Sequence, residues 1–92
     1  MEQVTEHIIQ WHGMTVEIRH VAGWGAGYDH LEIRSIKPER AKLPITETGY
    51  RSHFIPAGDL EEQGGAVAFV TDWLDHESRS EAWKAASQMS LL

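Results

Sequence analysis

The run from Met14 to Ala22 leaves the chain little conformational choice. Val16, Ile18, His20 and Ala22 recur at every second position, with Thr15, Glu17, Arg19 and Val21 between them. A period of two carried by β-branched residues describes a half-buried strand. A helix would bring its apolar side back every three to four residues. Tyr28 to Ile36 repeats the pattern, with Leu31 and Ile33 on one face and His30, Glu32 and Arg34 on the other. Gly23-Trp24-Gly25-Ala26-Gly27 separates the two runs and reads as a mobile loop or wide turn, because alternating glycines interrupt regular structure. His7 to Trp11 supplies an earlier strand, closed by a His12-Gly13 turn in which glycine accepts positive φ. Together these runs predict an antiparallel meander with one packed and one wet face.

The remainder of the chain changes character. Lys37 to Pro44 reads as a linker, since Pro38 and Pro44 lack a backbone donor and restrict their predecessors. Tyr50 to Ile55 is a candidate fourth strand. Asp59 is placed to cap a short helix through Glu62, which Gly64-Gly65 stops. From Ala66 to Glu77, Val67, Val70, Trp73 and Leu74 form a helical apolar stripe, with Asp72, Asp75 and His76 on or beside the wet face. Ser78 or Ser80 restarts a helix, Ser80 by capping. The expected fold is a single α+β domain over residues 1–92, an antiparallel meander of three to four strands followed by two to three helices packed on one face. Its parts are a meander over 1–36, a linker and candidate fourth strand over 37–55, and a helical part over 56–92 whose tail, 88–92, is either a free end or a helix end packed on the core.

Composition removes whole classes of function. The chain has no cysteine, which excludes disulfides and thiolate metal sites and fits a reducing cytoplasm, the expected location. Met1 to Glu6 is acidic and lacks the apolar core of a signal peptide, and no apolar stretch approaches the roughly 20 residues of a membrane span. The net charge of −6 argues against broad non-specific DNA binding. The charge is uneven, however. Arg34, Lys37, Arg40, Lys42 and Arg51 form a basic band, whereas acids dominate from Asp59 to Glu81. Either stretch can dock a partner of opposite charge.

The densest chemistry lies at Thr46 to Phe54 and in the strand before it. His30, Glu32 and Arg34 share one strand face, and Arg51 and His53 share a face of the next strand. If the two strands pair, these five residues are expected to meet as a binding surface. Such a group can hold a phosphate through its arginines, bind a divalent metal through its histidines and Glu32, or supply a general acid or base. It can equally be a solvated sheet face with cross-strand charge pairs. No tight ligand spacing such as a helical His-x-x-x-His is present, so no metal or other cofactor is expected. Trp24 and Tyr28 can stack on a base or a partner, or cover the sheet edge. Val70 to Glu77 can imitate a phosphate backbone as an acidic helix face, or be merely solvated.

Two resemblances add to these readings. Gln88-Met89-Ser90-Leu91-Leu92 resembles the pentapeptide by which bacterial replication and repair proteins dock on the DNA sliding clamp, Gln-Leu-Ser/Asp-Leu-Phe. Gln88, Ser90 and Leu91 match it, Met89 replaces leucine and Leu92 replaces phenylalanine; the alternative is a helix end packed on the core. The order His30 to Ser35, Leu43 to Phe54 and Gly64 to Asp75 resembles small uncharacterised proteins carried on plasmids and integrated elements of proteobacteria, over about residues 28–92. That resemblance implies a mobile-element setting, in which clamp binding, nucleic-acid handling and anti-defence roles occur. The expected function is a non-enzymatic cytoplasmic accessory or adaptor protein that binds a macromolecule of DNA metabolism, either a protein such as the sliding clamp or nucleic acid. The alternatives are a metal- or phosphate-dependent enzyme on His30, Glu32, Arg51 and His53, and an acidic inhibitor. Exposed sheet edges allow a homodimer.

Overall fold

The structure, a computed structural model, describes residues 3–90. Strands β1 (Gln3–Trp11), β2 (Met14–Gly25), β3 (Tyr28–Lys37) and β4 (Tyr50–Pro56) form one antiparallel sheet in the order β1-β2-β3-β4. The first two connections are tight. His12 and Gly13 carry φ of 48° and 78°, and Ala26 and Gly27 carry 51° and 81°. Positive φ at both central residues marks the two-residue hairpin turn whose twist matches the flanking strands.

The second turn corrects the expectation of a loop over Gly23 to Gly27. Strand β2 continues through Gly25, which pairs with Tyr28, and the register slips between Val21 and Gly25. The glycines therefore serve a bulge. Asp29 secures it: one carboxylate oxygen accepts the Gly23 N–H at 3.0 Å, and the other meets His20 Nε2 at 2.8 Å. Burial works to raise the pKa of Asp29, but the Gly23 N–H and the His20 imidazole outweigh it and hold the carboxyl below its ordinary value.

Cross-strand partners share a face, so the register decides the core. Ile9 opposes Val16, Ile18 opposes Ile33, and Asp29 opposes Ile55. On this side lie helices α1 (Ala57–Glu62), α2 (Ala66–Glu77) and α3 (Glu81–Ser90). Leu60, Ala66, Val70 and Leu74 pack into the same cluster as Trp11, Val16, Ile18, Leu31 and Ile33. Each fully buried aliphatic side chain stabilises the fold by roughly 1.5–3 kcal/mol. Leu43 and Ile45 belong to the cluster too, so the proline-flanked segment expected as a linker supplies core.

The helices differ in detail from expectation. Helix α1 starts at Ala57 after Pro56 with no side-chain cap, and Asp59 lies in its first turn, where a carboxylate still favours the helix dipole. In α2 the buried residues are Ala66, Val70 and Leu74, flanked by half-buried Phe69 and Trp73. A stripe centred there leaves Val67 on the far flank, exposed instead of packed. Asp75 is turned inward: Trp11 Nε1 donates to its Oδ1 at 2.8 Å. Ser80 caps α3, its Oγ accepting the Trp83 N–H at 3.1 Å, and the Trp83 ring lies 6.0 Å from that of Trp11. No helix among the described residues is long and apolar enough to cross a membrane.

Thr46 to Phe54 joins the sheet to this layer. Gly49 has φ of 80°, and a Cβ there would lie 2.7 Å from the Arg40 backbone and the Ser35 hydroxyl, so only glycine fits. Its carbonyl accepts the Ser35 N–H at 2.9 Å. Thr46 Oγ1 donates to the Tyr50 carbonyl at 2.8 Å, and Arg51 Nη1 donates to the Ile45 carbonyl at 3.2 Å.

Candidate functional site

Strands β3 and β4 do pair, but in a register that divides the expected surface. Ile33 opposes Arg51 and Leu31 opposes His53, while His30, Glu32 and Arg34 oppose Phe54, Ser52 and Tyr50. Odd positions face odd positions, so Arg51 and His53 lie on the helix side and His30, Glu32 and Arg34 lie on the open side. A slip of one residue would have united them. The sheet separates the group read as one binding surface. The enzyme reading thereby loses its constellation. Among the described residues, no cluster of three His, Asp or Glu side chains is arranged to hold a metal ion.

On the open face His30, Glu32 and Arg34 keep company with a different set of residues. Phe54 stacks on His30 with centroids 4.5 Å apart and meets the edge of Trp24 at 4.7 Å. His30 Nε2 lies 2.7 Å from Ser52 Oγ. No helix covers these rings: Trp24 is 50% exposed, Tyr28 44%, Tyr50 45% and Phe54 46%, with Val4 and Ile8 of the edge strand also exposed. Val21, on the same face beside His30 and Val4, is buried in their midst. Glu17 and Arg19 of β2 are paired across strands with Arg34 and Glu32 of β3. Arg34 Nη2 donates to Glu17 Oε1 at 2.7 Å, and Arg19 Nη1 donates to Glu32 Oε2 at 3.2 Å. Glu32 also accepts the Tyr50 hydroxyl at 3.2 Å; partial burial and this carboxylate raise the phenol's pKa, so it stays protonated. The result is an aromatic and aliphatic platform whose arginines are already occupied.

The helix side of β4 presents a second, smaller site. The Arg51 guanidinium sits 5.4 Å from the centre of the Trp73 ring, a cation–π distance. His53 stacks on Phe69 at 5.7 Å and tilts against Trp73 at 4.7 Å. Burial, and secondarily the Arg51 charge, lower the pKa of His53 below its ordinary value, so the ring is neutral at neutral pH. Two hollows flank these residues. One, of about 420 Å³, is lined by Lys42, Ile45, Thr46, Arg51 and Trp83 among others. The second, of about 400 Å³, is lined by His53, Gln63, Phe69, Asp72, Trp73 and His76.

The acidic helix is thinner than its sequence suggests. Asp75 bonds to Trp11 and Glu77 is half-buried, which leaves Asp72 and His76 exposed. Gln88, Met89 and Ser90 fall in the last turn of α3; their side chains, and Leu91 and Leu92 altogether, lie outside the described residues. The residues that sequence reasoning missed are Ser52 and Phe54, both partners of His30. Alternation already grouped His30, Glu32 and Arg34, but nothing in it fixes the parity with which two strands pair.

A sequence profile of the family described as KlcB third domain matches residues 4–83, from β1 into the start of α3. No curated protein and no solved structure gives a significant match.

Proposed function

Because the chain belongs to the plasmid-associated KlcB third-domain family, we propose that it is a non-enzymatic accessory module that docks a protein partner on the open face of its sheet. One observation carries this reading. Four aromatic side chains remain exposed on a sheet face that no helix covers, beside arginines already paired with carboxylates. Large exposed aromatics with a polar surround are the anchors of protein interfaces. A phosphate backbone requires free cations, and here Arg19 and Arg34 are engaged. The family's name makes the unit a third domain in KlcB, an arrangement suited to a module that works beside other domains.

Proteins of plasmid DNA metabolism, the sliding clamp among them, are the first partners to test. The isotope-labelled protein is titrated with purified clamp, and separately with single-stranded DNA at low and high salt. The reading expects the clamp or another protein of this class to shift the Trp24 indole and the Phe54 amide, and the Trp24→Ala/Phe54→Ala variant to lose that binding. Shifts confined to the end of α3 would move docking to Gln88–Leu92. Salt-sensitive binding of DNA to the open face would replace the protein partner with nucleic acid.

A further inference from the structure

The outer edge of β4 carries chemistry that the open-face reading does not use. The Ser35 N–H donates to the Gly49 carbonyl at 2.9 Å, and the Ala57 N–H donates to the Gly27 carbonyl at 3.0 Å. In an antiparallel ladder the direction of the backbone groups alternates from residue to residue. Arg51, His53 and Ile55 therefore turn their N–H and C=O toward β3, while Tyr50, Ser52 and Phe54 turn theirs outward. The outward groups of Tyr50 are taken by threonines: its carbonyl accepts Thr46 Oγ1 at 2.8 Å, and its N–H meets Thr48 Oγ1 at 3.4 Å. Among the described residues, the backbone groups of Ser52 and Phe54 have no partner on that side. The two hollows lie along the same edge, one at Arg51 and one at His53. These are alternate residues, roughly 6.8 Å apart along a strand, the repeat at which an added strand would present side chains on that face.

We propose that this edge accepts an extended peptide of a partner protein as a fifth strand, with a carboxylate beside Arg51 and Lys42 and a large apolar side chain two residues away over His53, Phe69 and Trp73. The backbone of Ser52 and Phe54 supplies the pairing, and the hollows supply the selectivity. Charge names the occupant. Arg51 and Lys42 outnumber Glu47 among the charged residues lining the first hollow, and Phe69 and Trp73 give the second an apolar wall beside Asp72. A second copy of this chain fits poorly. Two-fold pairing of β4 with itself sets Arg51 of one copy opposite the neutral His53 of the other, and the strand Tyr50–Pro56 contains no acid to meet the arginine.

The probe is a synthetic peptide, acetyl-Lys-Thr-Asp-Val-Leu-Thr-Lys-amide, which places its aspartate and leucine on one strand face. On titration the Ser52 and Phe54 amide signals should shift and gain protection from exchange. Replacing the peptide's aspartate by lysine should weaken binding about tenfold or more. Ser52→Pro removes an N–H that points away from β3, so the ladder is kept and binding is lost. Arg51→Glu gives up the bond to the Ile45 carbonyl but keeps the pairing groups of Ser52 and Phe54, and should reverse the preference toward the lysine peptide. Trp24→Ala trims a ring on the open face but leaves the Ser52 and Phe54 backbone and both hollows in place, so it should leave the affinity within about twofold. Strand addition is overturned if folded Ser52→Pro binds as tightly as the parent. It is equally overturned if the two peptides bind alike, or if Trp24→Ala rather than Arg51→Glu governs binding.

Discussion

On the helix side of the sheet, Val16, Ile18, Leu31 and Ile33 are fully withdrawn from water and packed beneath Leu60, Val70 and Leu74. On the open side the same two middle strands present Glu17, Arg19, Glu32 and Arg34 in cross-strand pairs, bordered by rings that remain half in water. Both faces come from one alternating sequence, and both hold aromatic clusters. They differ in what completes them. The core cluster is closed by the chain's own helices, whereas Trp24, His30 and Phe54 close only on one another. The face satisfied by its own chain contributes to stability; the half-finished one is the face proposed for docking. Truncations on the two sides should therefore fail in different assays.

The widest gap should appear between Leu74→Ala and Tyr28→Ala in urea unfolding. Leu74 is fully buried, and its truncation should cost about 2–5 kcal/mol. Tyr28 is exposed, and its loss should stay within about 0.5 kcal/mol. Equal losses would mean that the open face is covered in solution, and the comparison would break. Asp75→Ala comes next. It leaves Trp11 Nε1 without its acceptor and should cost about 1–3 kcal/mol, the penalty of an orphaned buried donor.

Acidity sharpens the same contrast. The pKa of His53 is lowered in the folded protein from an ordinary 6.5, so the unfolded chain takes up this proton first. Stability is whole above about pH 6.5 and declines as pH falls below it toward the lowered folded value. A His53→Leu variant should flatten that part of a stability–pH curve; an unchanged slope would show the ring to be solvated. Asp29, lowered from 3.8, acts in a separate and more acidic window. Its contribution is present above that value and is lost as pH drops through the folded pKa. The smallest effect belongs to the open face. Arg34→Ala breaks a pair whose arginine is largely in water and should change stability by about 0–1 kcal/mol; a larger loss in a thermal melt would make that pair structural.

Much of the architecture was legible because it rests on local periodicity. Val16/Ile18 and Leu31/Ile33 announce strands, Ala66 to Glu77 announces a helix, and Ser80 announces its successor. Gly23 to Gly27 misled for a physical reason: a bulge and a turn draw on the same residue, and only Asp29, six positions from Gly23, distinguishes them. Leu43 and Ile45 have no periodic neighbours, so their place in the core follows from tertiary closure alone. The candidate site was the least legible part. His30, Glu32 and Arg34 are correctly one face, and so are Arg51 and His53. Whether those two faces coincide depends on strand parity, which Gly49 and the 37–49 segment set through contacts far apart in sequence.

The threonines just before β4 have a consequence for behaviour in concentrated solution. A bare edge strand is a seed: each added strand offers a new edge, and growth can run on into insoluble fibres. Here Thr46 and Thr48 occupy the backbone of Tyr50 at one end, and Pro56 has no N–H to offer at the other. Between them only Ser52 and Phe54 remain open, too short a stretch to register a long strand. Loss of the two hydroxyls, as in Thr46→Val/Thr48→Val, would lengthen the exposed ladder and should show first as turbidity on storage, before any change in folded stability is measurable.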